Sequence, residues 1–150
     1  MKNVFLQSDS EEIILRINQL KTNLKPVWGK MSVGQMLAHC NVTYEMVFET
    51  MHPKPNMVVK FFLKIFVKKS VVNDVSYPRN SRTGPQFLIT GDKVFEVEKE
   101  RLIKYIQKTQ QSGANNFEGK DSNSFGPLNA NEWNNMFYKH LDHHLGQFGV

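Results

Sequence analysis

Four stretches of the chain repeat apolar residues every three or four positions, which is the spacing of an amphipathic helix. The first opens at Ser8, where Ser8-Asp9-Ser10-Glu11 has capping-box form, runs its stripe through Ile13, Ile14, Ile17 and Leu20, and fades at Thr22-Asn23. The second opens at Ser32 with Gln35 three residues on, and Val33, Met36, Leu37, Cys40, Tyr44, Val47, Phe48 and Met51 line one side until Pro53 and Pro55 end it. The third starts near Asp92, runs to about Gln111, buries Val94, Phe95, Leu102, Tyr105 and Ile106, and stops at Gly113. The last is capped by Asn129 with Glu132. It aligns Trp133, Met136, Phe137, His140, Leu141, His144, Leu145 and Phe148.

The segments between these helices set the topology. Asn23 to Lys30 is a short connection broken at Pro26 and anchored by Trp28-Gly29, which makes the first two helices antiparallel neighbours. Residues 57–69 form a short basic helix. Lys60, Lys64 and Lys68 share a line, and Phe61, Phe62, Ile65 and Phe66 offer a face for the core to bury, so this helix is expected as a lid with its lysines in water. Asn73 to Gly91, with Pro78, Gly84 and Pro85, reads as an ordered loop over the surface, and Gly113 to Pro127 as a polar surface crossing. Both long connections allow crossovers. The expectation is one all-α domain over residues 1–150, an up-down-down-up four-helix bundle with an additional short helix in the crossover between the second and third helices.

Composition narrows the function. A chain of 150 residues, 40% hydrophobic, suits one domain with a sizeable core. The net charge of +5 arises from Lys54, Lys60, Lys64, Lys68 and Lys69, a block with no acidic residue between Glu49 and Asp74. Elsewhere the charges cancel, and no Gly-rich phosphate loop or zinc-finger spacing occurs, so nucleic acid is not an expected partner. The single cysteine, Cys40, excludes an internal disulfide, and neither a secretory segment nor a transmembrane run is present. A cytoplasmic protein with no membrane contact is expected.

The chemistry lies in the last helix. His140 and His144 sit one turn apart on the stripe that should be buried, where each ring nitrogen needs a partner and the neighbouring positions are apolar. An i,i+4 pair presents two nitrogens to one divalent ion. His39 supplies a third. It lies seven residues into its helix, roughly 10 Å from that end, and His140 and His144 lie roughly 12 and 6 Å from the end of theirs. If the second and last helices run antiparallel, the three imidazoles meet at one height.

Met31-Ser32-Val33-Gly34-Gln35-Met36-Leu37-Ala38-His39-Cys40, together with His140-Leu141-Asp142-His143-His144-Leu145-Gly146-Gln147, resembles the DinB/YfiT-like superfamily, and more closely a branch known only as a domain of unknown function. The resemblance spans nearly the whole chain. It implies a four-helix bundle, often a homodimer, with a three-histidine site for a divalent metal such as nickel or zinc. On the matching positions the ligands would be His39, His140 and His144, with His143 outside the first shell. It further implies a small-molecule substrate and an activity such as a transferase using a low-molecular-weight thiol, or a metal-dependent hydrolase.

No general base accompanies the motif. Asp142 should point away from the histidines, and Gln147 reaches only the rim. Cys40 is turned about 100° from His39 around the helix. Tyr44 lies off the line of His39, and Glu45 and Glu49 fall on the outer side. A catalytic site with an open position therefore competes with a non-catalytic bundle whose histidines are structural and whose 57–69 helix binds an acidic partner or a membrane surface.

Overall fold

The computed structural model describes residues 1–150 and is mostly helical. Its helices are α1 (Gln7–Gln19), α2 (Val33–Phe48), α3 (Met57–Phe66), α4 (Lys68–Val72), α5 (Phe95–Ser112) and α6 (Ala130–Gln147), with one hairpin of β1 (Lys120–Ser122) and β2 (Gly126–Leu128). No helix is long and apolar enough to cross a membrane.

The two strongest helix starts form as expected. Ser32 accepts from Gln35 N while the Gln35 side chain accepts from Ser32 N, and Asn129 and Glu132 make the same reciprocal pair, so each box satisfies two otherwise orphaned donors. The box expected at Ser8 does not form. Helix α1 begins one residue earlier, after Leu6, because its first turn is fixed from outside: Asp9 accepts from Asn3 N at 2.7 Å, and Asn134 of α6 accepts from Val4 N at 2.8 Å. Helix α2 ends at Phe48, which leaves Met51 outside the apolar stripe and exposed. Gly113, at φ 72°, ends α5 in a conformation that glycine adopts without strain.

Helices α1, α2, α5 and α6 enclose a core of 22 buried side chains, with Trp133, Tyr44, Phe117 and Phe137 its largest wholly buried members. Both α1 and α2 pack against α5 and α6. They therefore face one another across the core and are not the side-by-side neighbours expected. The 13-residue connection from Leu20 to Ser32 is long enough to cross the end of the helices. The crossing from Gly113 to Pro127 is likewise more than surface. It carries the hairpin, which runs one residue past it in register Lys120↔Leu128 and Ser122↔Gly126, and it buries Phe117 and Phe125, with Leu128 buried at the hairpin's end.

The 57–69 segment departs furthest from expectation. It breaks at Val67 into α3 and α4, and its aromatic face is not buried: Phe61, Phe62, Ile65 and Phe66 are 59, 52, 52 and 71% exposed. Only Leu63, Val67 and Val71 pack on the core from this side, with Val72 buried in it. Lys60 pairs with Asp121 and Lys68 with Glu132, so the lysine edge lies against the body while the phenylalanines face outward. Helix α4 is held by Lys139, whose ammonium donates to Ser70 O, Asn73 O and Asn73 Oδ1 at 2.7–2.8 Å.

Candidate metal centre

Adjacent faces of α2 and α6 bring His39, His140 and His144 together. The ring centroids lie 4.9 Å apart for His39 and His140, 4.5 Å for His39 and His144, and 4.8 Å for His140 and His144. One nitrogen from each ring falls within 4.8 Å of the other two, and His39 Nε2 lies 2.9 Å from His140 Nε2. His39 and His144 are 5 and 7% exposed, while His140 keeps more contact with solvent.

The outer nitrogens decide what the inner ones can do. His39 Nδ1 donates to Phe87 O at 2.9 Å, and a carbonyl only accepts, so His39 Nε2 carries a lone pair. Gln147 donates through Nε2 to Trp28 O at 2.8 Å, which aims its carbonyl oxygen at His144 Nδ1, 2.9 Å away. His144 Nδ1 is therefore the donor, and His144 Nε2 also presents a lone pair. His140 Nδ1 meets Thr43 Oγ1 at 2.9 Å, and a hydroxyl serves either way. If Thr43 donates, His140 Nε2–H can satisfy His39 or His144 but not both. If Thr43 accepts, three lone pairs converge with no donor among them. Buried lone pairs left unpaired are costly, and a cation removes that cost.

Electrostatics lead to the same place. Burial first, then the neighbouring histidines, hold His140 well below the usual histidine range. Burial and the nearby His39 push His144 down to about 3, and burial lowers His39. At neutral pH all three rings are neutral, the form that ligates. Tetrahedral Zn–N bonds of 2.0–2.1 Å need nitrogens about 3.3 Å apart; His39 Nε2 and His140 Nε2 stand 2.9 Å apart, and the three nitrogens lie within 4.8 Å of one another. Outer-nitrogen anchors of this kind commonly orient metal-binding histidines.

His143 stands outside the cluster, edge-on to Trp28 and Tyr77 at 5.9 and 5.8 Å. Cys40 is buried with Sγ 3.8 Å from Met36 Sδ, and burial raises its pKa, so no thiolate is offered to the histidines. Asp142 points away as expected, pairing with Arg16 at 2.8 Å. Glu45 is not on an outer face. It is 6% exposed and held between Arg101 and His52, and Glu49 accepts from the Tyr105 hydroxyl.

Three residues matter more than the sequence suggested. Gln147 is 4% exposed and orients His144. Thr43 sits one turn past His39 on the same side of α2, a spacing that would have pointed to it. Phe87 lies in a single turn of 3-10 helix, Pro85–Phe87, inside the long loop, where periodicity gives no signal. Its carbonyl anchors His39, and its ring lies 5.4 Å from that of His39 and 5.9 Å from that of His140.

Comparison with curated proteins and with solved structures returns no match. A family model matches residues 5–148, which takes in both histidine segments and all four long helices. The chain belongs to the DinB superfamily.

Proposed function

We propose that this chain binds one divalent ion, nickel or zinc, through His39, His140 and His144, and uses it in a transferase or hydrolase reaction on a small molecule. The observation that carries the reading is the set of Nδ1 anchors. Phe87 O, Gln147 Oε1 and Thr43 Oγ1 turn three neutral imidazoles inward, where no protein donor serves all three. Three nitrogen ligands leave a tetrahedral ion one position, and neither Cys40 nor a carboxylate lies beside the histidines to fill it.

The fold reading that accompanies this is a single domain, an up-down-down-up bundle of α1, α2, α5 and α6. Side-chain pairings support it. His39 meets His144 while Thr43 meets His140, which is an antiparallel match of α2 with α6. Asn41 meets Glu98 and Glu49 meets Tyr105, a parallel match of α2 with α5. Val4 meets Asn134 and Arg16 meets Asp142, so α1 runs with α6.

A bound divalent ion supplies a Lewis acid that lowers the pKa of a coordinated water or thiol. The chain does the rest. Gln147 and Phe87 O hold two rings in one tautomer, and Thr43 adjusts the third.

Metal analysis of protein purified without an affinity tag is expected to find one ion per chain. His140→Ala should lose it and His143→Ala should keep it. In cobalt-loaded protein a sulfur-ligand band should appear only when a low-molecular-weight thiol is added. A parent chain without stoichiometric metal, or equal retention by the two variants, would refute the site. A thiolate band present without added thiol and absent in Cys40→Ser would refute its open position.

A further inference from the structure

The exposed face of α3 has no role in the metal centre. Met57, Val58, Phe61, Phe62, Ile65 and Phe66 are each more than half exposed, from 52 to 87%. At about 100° per residue they cover one continuous arc, roughly half the circumference of the helix. The opposite edge, through Leu63 and Val67, is docked on the core. An apolar arc this wide on a projecting helix marks an interaction surface.

Charge says what covers it. No acidic residue occurs between Glu49 and Asp74. Lys60 and Lys68 are tied to Asp121 and Glu132, but Lys54, Lys64 and Lys69 pair with no carboxylate, and Lys64 borders the apolar arc. A second copy docked here through a two-fold axis would set lysine against lysine with no carboxylate on the segment to answer them. An anionic bilayer answers both features. It takes the phenylalanines below the headgroups, and the lysine stems snorkel to the phosphates. At ten residues α3 is about 15 Å long, so it lies in the interface and does not span it.

We propose that α3 is a membrane-docking helix that seats Phe61, Phe62, Ile65 and Phe66 in the interface of an anionic lipid bilayer, with Lys64 and Lys69 on the headgroups. This reverses the expectation, drawn from the segment's sequence, that the aromatic face is buried and membrane is avoided. It does not depend on the metal reading.

Flotation of the full chain with phosphatidylcholine vesicles, with and without phosphatidylserine, tests it. Binding should require phosphatidylserine and weaken steeply as salt is raised. Lys64→Gln with Lys69→Gln should weaken it roughly thirtyfold, at about 1 kcal/mol for each lysine. Phe61→Ser with Phe66→Ser should abolish it. Both pairs lie on the surface and should leave the melting temperature unchanged, which separates lost docking from lost folding. Absence of binding to phosphatidylserine vesicles by the parent would overturn the proposal, as would equal binding to neutral vesicles. A concentration-dependent dimer lost in the phenylalanine variant, without vesicle binding by the parent, would assign the face to a second copy. Retention by polyglutamate without vesicle binding would assign it to an acidic protein.

Discussion

Helix α2 carries a buried polar cluster on each of two sides, and they are built on opposite principles. Toward α5, Arg101 bridges the Glu45 and Glu98 carboxylates, His52 adds a bond to Glu45, and the Asn41 amide donates to both the side chain and the backbone carbonyl of Glu98. Opposite charges are present, and nearly every donor meets an acceptor, with Asn41 Oδ1 the one buried acceptor left unpaired there. Toward α6, His39, His140 and His144 bring only neutral rings, fixed from outside, whose three inner nitrogens share at most one N–H. A buried network that compensates itself needs nothing further. One that is anchored everywhere except at its centre is short of a cation. The same helix thus carries a closed structural cluster and an open one that calls for a ligand.

The widest separation between the clusters should come from Arg101→Met. It leaves the buried Glu45 and Glu98 carboxylates without their partly exposed guanidinium, and losing charged hydrogen bonds of this kind costs about 1.5–3 kcal/mol. Chemical denaturation should show that loss, while metal affinity stays at the parent value because none of these groups touches the histidines. A fall in metal affinity as large as the fall in stability would show that the clusters are not separate.

Removing the anchors of the open cluster should do the reverse, on a smaller scale. Gln147→Met and Thr43→Val should each weaken metal binding about ten- to a hundredfold, the usual range for groups that orient a ligand. Gly29→Ala belongs with them. Gly29 has φ 81°, and an added Cβ would collide with Gln147 Nε2, which pushes away the amide that aims at His144. Competition with a chromophoric chelator measures all three. Unchanged affinity in Gln147→Met would mean that His144 needs no external orientation.

The sequence was readable where local rules act. Capping boxes at Ser32 and Asn129, the stop at Gly113, and the i,i+4 pair His140 and His144 are short-range features, and each appears where spacing puts it. His39 was reachable by counting turns, because helices have a fixed rise. Contacts that join distant segments were not readable. The carbonyl of Phe87 reaches His39 from 48 residues away, and nothing in Pro85-Gln86-Phe87 marks a backbone oxygen for that task. The side of α3 that faces inward runs against the segment's own aromatic pattern, and its lysine edge meets Asp121, a carboxylate far along the chain. The burial of Glu45 escaped for the same reason, since its partner Arg101 lies on another helix.

The last effect is a pH dependence, to which the three clustered histidines and the neighbouring His143 all contribute in the same direction. In metal-free protein the folded-state pKa of His144 is pushed down to about 3, and those of His39 and His140 are also lowered, whereas an unfolded histidine titrates near 6.5. Between these values the unfolded chain binds protons that the folded chain refuses. Stability therefore rises with pH through that window and falls as acid is added, with a limiting slope of about 1.4 kcal/mol per pH unit for each histidine involved. Above about pH 7.5 these groups contribute no slope, because both states are neutral. Denaturation midpoints of the metal-free chain should therefore drop progressively below about pH 6.5, and His144→Gln should remove one histidine's share. A bound ion should hold the midpoints level further into acid, until protons compete the ligands away. Midpoints that are flat from neutral pH down to about 4.5 without metal would mean that the rings are protonated in the folded state. The centre would then be a hydrated cationic cluster, no longer distinguishable in kind from the charged one across the helix.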